Sequence, residues 1–201
     1  MLPGDEDYNI IYLIYLKQIK KAMRNLLKYS ICFLLLLIQS ACGHSQKVEY
    51  QEGYLVKVGD MAPDFPVKEA GGKEYMLSDL RGRVVMLQFT ASWCSVCRTE
   101  MPFIESEIWQ QLKGTDFSLV GIDRDEPVDK VLQFRKDMKI SYPLALDPGA
   151  DIFGLFAQKS EGVTRNVIID RKGKIIFLTR LFEREEFEEM KKIIFAELAE
   201  K

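Results

Sequence analysis

The run Val84-Val85-Met86-Leu87-Gln88-Phe89 followed by Thr90-Ala91-Ser92-Trp93-Cys94-Ser95-Val96-Cys97 restricts the fold more than any other stretch of the chain. Six nearly continuous apolar residues, β-branched at the start, suit a short strand buried on both faces. Beyond the cysteines, Val96, Met101, Ile104, Ile108 and Leu112 recur at mostly three- and four-residue steps, which predicts a helix over Ser95 to Gln111. Cys94 then lies at a helix N-terminus, where unpaired backbone N–H groups and the helix dipole favour a thiolate over a thiol. Cys97 follows one turn later, close enough to form a disulfide with it. Because exchange proceeds by thiolate attack on sulfur, such a pair can act as a reversible two-electron device, with Cys94 attacking and Cys97 resolving.

The competing readings of this C-x-x-C are an inert structural disulfide and half of a zinc site. Zinc calls for about four ligands. The other candidates, Cys32, Cys42 and His44, cluster near the N-terminus and form no second C-x-x-C, so no metal or other cofactor is expected. At 201 residues and 47% apolar composition the chain has enough material for one packed domain and an appendage. Its 28 basic and 30 acidic residues are scattered without a basic stripe, which excludes nucleic acid as a partner.

The N-terminal part reads as an export signal. Lys17, Lys20, Lys21, Arg24 and Lys28 precede the apolar run Ile31-Cys32-Phe33-Leu34-Leu35-Leu36-Leu37-Ile38, which is followed by the small residues Ser40 and Ala41. The run is far shorter than the roughly 20 residues of a membrane-spanning helix. Gln39-Ser40-Ala41-Cys42 resembles the lipobox of bacterial lipoproteins, with Gln39 where an aliphatic residue is usual, and this resemblance implies cleavage before Cys42 and its lipidation. Acidic Asp5-Glu6-Asp7 and a second apolar run, Ile10 to Leu16, do not fit an export signal, and Met23 is the expected true start. The expected organisation is an N-terminal extension and signal over 1–41, a lipid-anchored tether over 42–57 and one domain over 58–201.

Within that domain, 53–65 mixes a short strand with a Pro/Gly/Asp break, Gly71-Gly72 marks a turn, and Leu77 to Gly82 is a short capped turn. Phe117 to Asp123 reads as the next parallel strand and Pro127 to Met138 as its crossover helix. Tyr142 to Pro148 is extended, Asp151 to Ala157 a short helix, and Val167-Ile168-Ile169-Asp170 with Lys174-Ile175-Ile176-Phe177-Leu178 a hairpin around Gly173. Glu183 to Ala199 closes the domain as an amphipathic helix.

Three blocks in order now carry a resemblance: Val58-Gly59-Asp60-Met61-Ala62-Pro63-Asp64-Phe65, Leu77-Ser78-Asp79-Leu80-Arg81-Gly82-Arg83-Val84-Val85, and Phe89 to Cys97 with Met101-Pro102. From about Val58 onward the chain resembles the membrane-anchored, TlpA/ResA-like thioredoxin-fold proteins of the wider redoxin group. The resemblance implies an α/β thioredoxin-like fold, a central mixed sheet with helices on both faces, and thiol-disulfide exchange at the cell envelope. Implied partners are exported cysteine-containing proteins, c-type cytochromes among them, and an upstream electron donor or acceptor. The domain would stand in the periplasm or extracytoplasmic space on its lipid anchor.

The same resemblance gives Glu100, on the helical face of Cys97, the handling of the pair's proton, and makes Pro102 the proline that kinks the active-site helix. Gln88 stands where cytosolic thioredoxins have a buried acid and cannot titrate. Trp93 is expected to cover the disulfide and contact partners. Thr164, in Gly162-Val163-Thr164-Arg165-Asn166, occupies the place of the usual cis-proline facing the cysteines; a trans peptide is expected, since a cis bond without proline costs about 2.5 to 4 kcal/mol. Arg165 is then expected to bring a cation near Cys94. That arginine makes peroxide reduction the second reading, although Thr90 stands four rather than three residues before Cys94, against the peroxidatic P-x-x-x-T-x-x-C pattern. A non-catalytic binding module is the third.

Overall fold

The computed structural model describes residues 53–200, and Met23 apart from them. The export signal, Cys42 and the tether as far as residue 52 lie outside the described residues. In chain order the elements are β1 (Pro66–Lys68), β2 (Glu74–Met76), a 3-10 turn (Leu77–Leu80), β3 (Val84–Thr90) and α1 (Ser95–Phe103). A π-helical segment (Ile104–Trp109) and α2 (Gln110–Leu112) prolong α1, and β4 (Phe117–Arg124), α3 (Val128–Asp137) and β5 (Leu144–Asp147) follow. A 3-10 turn (Pro148–Ala150), α4 (Phe153–Phe156), β6 (Arg165–Ile169), β7 (Ile175–Arg180) and α5 (Arg184–Ala199) complete the domain.

The apolar run is the central strand. All seven residues of β3 are buried, and the sheet runs β5-β4-β3-β6-β7. β3, β4 and β5 are parallel, β6 is antiparallel to β3, and β7 is antiparallel to β6. This is the mixed α/β sheet of the thioredoxin-like class. Because successive side chains on a strand alternate in direction, β3 feeds two cores. Val85, Leu87 and Phe89 join Phe153, Phe156, Val167 and Ile169 in one. Val84 and Met86 join Met101, Ile104, Ile108, Phe134, Phe187, Met190 and Ile194 in the other.

Pro102 sits inside the active-site helix and has no N–H to offer the preceding turn. The helix responds by widening into the π segment two residues later. Pro127 is the N-cap of α3, one position before the first helical residue expected of it. The β6–β7 hairpin turns at Gly173, whose φ of 90° is open to glycine without strain, and carries an irregularity between Ile168 and Ile169.

Two expectations are corrected. The stretch 53–65 forms no strand, only isolated bridges from Tyr54 to Ala157 and from Met61 to Lys174. Its backbone bonds go instead to loops and chain ends, as in Leu55 N–H to Phe156 O at 2.8 Å and Gly59 N–H to Ile175 O at 2.8 Å. The strand pairing lies one step later, in the β1–β2 hairpin around Gly71-Gly72. Residues 53–57, expected to end the tether, are a strap on the domain, and the Tyr54 hydroxyl donates to Thr179 O at 2.5 Å. No helix among the described residues is long and apolar enough to cross a membrane.

Candidate active site

At the end of β3 the chain leaves the sheet, and α1 begins immediately after Cys94, which is its N-cap residue. Cys94 and Cys97 form a disulfide with their Cα atoms 5.3 Å apart. The backbone N–H of Cys97 donates to Cys94 Sγ at 3.1 Å, so one of the helix's unpaired donors is already aimed at the sulfur. Cys94 is 8% exposed and Cys97 fully buried. The sulfur that a partner can reach is therefore that of Cys94. Trp93 beside it is 60% exposed, which places it at the surface of the redox turn rather than in the core.

Across from the pair lies Thr164, buried, with its hydroxyl 3.1 Å from Cys94 Sγ and 3.2 Å from Cys97 Sγ. No peptide bond among the described residues is cis, so the bond before Thr164 is trans, as expected. Thr164 thus faces the two sulfurs, as expected of the place it occupies. Arg165 departs from expectation. Its guanidinium donates to Gly162 O at 2.7 Å, lies 4.8 Å over the Tyr54 ring and 5.7 Å from the Phe153 ring, and approaches Glu161 at 3.8 Å. Among the described residues the polar partners of Cys94 Sγ are the Cys97 N–H and the Thr164 hydroxyl, not Arg165. The reason is alternation along β6, which sends Arg165 to the side of Phe89, its partner in register.

Glu100 is brought into the site as the helical spacing requires. It is buried under α1 and accepts from Asn166 Nδ2 at 2.6 Å. Among the described residues its other carboxyl oxygen has no hydrogen-bond partner. Burial pushes the Glu100 carboxyl up to about 7, against the opposing pull of the Asn166 and Gln88 amides and with some help from the negative charge of Glu186. Its proton thus comes and goes near neutral pH, one helical turn from the resolving sulfur.

What holds Glu100 is a polar row that sequence reasoning did not assemble. Gly121, Gln88, Asn166 and Thr179 are mutual register partners across β4, β3, β6 and β7. Asn166 Nδ2 also donates to Thr179 Oγ1 at 2.8 Å, and Gln88 Oε1 accepts from the buried Tyr142 hydroxyl at 2.8 Å. At Gly121 a Cβ would meet Leu144 Cδ2 at 2.3 Å, with Tyr142 and Gln88 at ordinary contact distances of 3.5 and 3.7 Å, so the glycine makes room for Leu144 beside the row. The signal available beforehand was Gln88, a polar residue inside an otherwise nearly continuous apolar run.

A second unpredicted group holds the redox turn from the other side. Glu126 accepts from Ser92 N–H at 2.5 Å and from Ser92 Oγ at 2.6 Å, and Lys130 reaches it at 2.6 Å. Burial works against the Glu126 charge, but the bonds from Lys130 and Ser92 hold its carboxyl below the usual range. Nearby Asp123, buried at the end of β4, is pushed up to about 8 by burial and by its negative neighbour Glu126. Among the described residues no group of three or more His, Cys, Asp or Glu side chains is arranged to hold a metal ion.

Comparisons with known proteins agree with this geometry. The Redoxin family profile matches residues 57–194. A thiol-disulfide oxidoreductase ResA of Bacillus cereus is 31% identical over 157 residues, covering 76% of this chain and 87% of the relative. A ResA of Bacillus thuringiensis is 32% identical over 161 residues with the same coverage. Among solved structures, a proposed protein disulfide isomerase of Bacteroides thetaiotaomicron shares 58% identity and a TM-score of 0.72, over 74% of this chain and 94% of that one. A proposed thiol:disulfide interchange protein DsbE of Chlorobium tepidum shares 29% identity and a TM-score of 0.64, over 72% of this chain and 99% of the other.

Proposed function

Since the chain belongs to the redoxin family and groups there with the ResA thiol-disulfide oxidoreductases, we propose that it exchanges disulfides with exported cysteine-containing proteins at the cell envelope, Cys94 attacking and Cys97 resolving. The observation that carries the reading is the Cys94–Cys97 disulfide at the start of α1, with the outer sulfur beside exposed Trp93 and the inner one buried above Glu100.

In the reducing direction the Cys94 thiolate attacks a substrate disulfide. A Cys94–substrate disulfide forms, and the substrate's other sulfur leaves as a thiolate that takes a proton from solvent. Cys97 then loses its proton to the Glu100 carboxylate and attacks Cys94 Sγ, closing the Cys94–Cys97 bond and releasing the second substrate thiolate. Two electrons have passed to the substrate, and an external dithiol restores the pair by the reverse steps. Run backwards from the disulfide, the same steps oxidise a substrate dithiol. Trp93 offers the apolar surface against which a partner's peptide rests beside Cys94.

Attachment to the envelope is supported by the basic residues and apolar run ahead of Ser40-Ala41-Cys42. Lipid on Cys42 would hold the domain at the extracytoplasmic face of a membrane. Peroxide reduction is not favoured, because Arg165, the cation that suggested it, is directed to Tyr54, Phe153 and Gly162.

Two measurements test the reading. Reduced protein should cleave a fluorophore-quenched disulfide peptide, and Cys94→Ser should abolish this; turnover surviving in Cys94→Ser would refute it. In cells fed a labelled fatty acid, label should enter the full chain and be lost in Cys42→Ser; equal labelling of both would refute the anchor.

A further inference from the structure

Resting on the exchange reading, we propose that the Thr164 hydroxyl is a catalytic hydrogen-bond donor to the Cys94 thiolate, setting its basicity and the reduction potential of the pair. The hydroxyl stands 3.1 Å from Cys94 Sγ and 3.2 Å from Cys97 Sγ, and among the described residues those two sulfurs are its hydrogen-bond partners. Its position is fixed by the loop that carries it. Thr164 O accepts from Leu181 N–H at 3.1 Å, and the adjoining Arg165 is tied to Gly162 O at 2.7 Å.

A hydroxyl has one proton to donate. Against the disulfide it meets two weak acceptors, and the gain is small. Once the S–S bond opens and Cys94 carries the negative charge, the contact becomes a charge-assisted bond, which is roughly twice as strong as a neutral one. The Cys97 N–H, 3.1 Å from the same sulfur, is the other donor. A proline in this place would present no donor.

The bond acts in both directions of exchange. When Cys94 attacks, the hydroxyl raises the thiolate fraction; when Cys94 is expelled from a mixed disulfide by a substrate thiolate, the hydroxyl stabilises it as leaving group. Because the thiolate exists only in the reduced form, the bond stabilises that form and makes the pair more oxidising.

The test is the pH profile of Cys94 alkylation in the reduced protein, paired with the dithiol–disulfide equilibrium in glutathione buffers, for wild type, Thr164→Val, Thr164→Ala and Thr164→Ser. The charged groups around the turn are Arg98 and Glu100 on α1, Asp123 at the end of β4, Glu126 after it, Lys130 on α3 and Arg165 on β6; all four proteins keep them. Val and Ala should each lower the alkylation rate below the thiolate pKa by about tenfold and shift the equilibrium toward disulfide by a similar factor, about 30 mV for a two-electron couple. Ser should restore both. Profiles within twofold of wild type in Val and Ala, or Ser behaving like Val, would overturn the proposal. Alkylation needs no protein substrate, so this arm stands or falls separately from exchange activity. Thermal melts identify a variant that fails to fold, and the remaining variants then decide.

Discussion

Glu100 has a carboxyl whose charged form is poorly served: buried, with one oxygen bonded to Asn166 and the other without a hydrogen-bond partner among the described residues. Its pKa is raised from the ordinary 4.5 to about 7. Between those two values the folded chain holds a proton that the unfolded chain has released, so this group's contribution makes stability fall as pH rises through that window. Glu100→Gln keeps an oxygen for Asn166 and removes the ionisation. In urea titrations the variant should match wild type near pH 4 and exceed it at pH 8 by up to about 3 kcal/mol; a stability difference independent of pH would contradict this. The same variant should slow the Cys97 step of exchange by about a hundredfold and erase its inflection near neutral pH, seen by stopped-flow Trp93 fluorescence. Cys94 and Cys97 were legible from their spacing at the start of one helix, and Glu100, on the helical face of Cys97, was singled out by the resemblance. Asn166, Thr179 and Gly121 were not, because only cross-strand register sets them in a row with Gln88, and no local pattern encodes register between distant strands.

The redox turn is held by elements on both sides, and its rigidity is a property of those elements together. The loop after β4 supplies Glu126, which takes both the N–H and the hydroxyl of Ser92 two residues ahead of Cys94. Glu126→Ala leaves both Ser92 donors without their partner, at a cost of about 1 to 3 kcal/mol. Differential scanning calorimetry should record a fall in melting temperature of about 2 to 4 °C per kcal/mol for a domain of this size, and Ser92→Ala a smaller one. An unchanged melting temperature in Glu126→Ala would show that the clamp holds nothing. The elements themselves were largely readable, since β3 and β4 are short apolar runs and α1 and α5 carry an apolar helical period. The π segment after Pro102 and the strap at 53–57 were not. Proline announces a break without saying how the helix absorbs it, and the strap is held by backbone bonds to Phe156 and Gln158 rather than by a strand pattern.

At the scale of the molecule, the five-stranded mixed sheet brings three separated segments to a single disulfide: the turn from β3 into α1, the loop before β6 and the loop after β4. The N-terminal strap ties into that same assembly through Tyr54, whose hydroxyl reaches Thr179 O and whose ring lies over the Arg165 guanidinium. A chain starting at residue 58 should therefore melt several degrees below one starting at residue 53, whereas a passive tether would leave the two equal. Fold class was legible from the order of three motif blocks, and so was Thr164 facing the sulfurs, while the direction of Arg165 was not, because residue identity does not show that its guanidinium turns to Gly162, Tyr54 and Phe153. The account stands most directly on which sulfur meets the substrate. Cys97→Ser protein incubated with exported cysteine-containing proteins, then digested and analysed by mass spectrometry, should carry its partners in disulfide linkage to Cys94, with none trapped by Cys94→Ser. Mixed disulfides formed equally well through Cys97 in Cys94→Ser, or none formed by either variant, would contradict it.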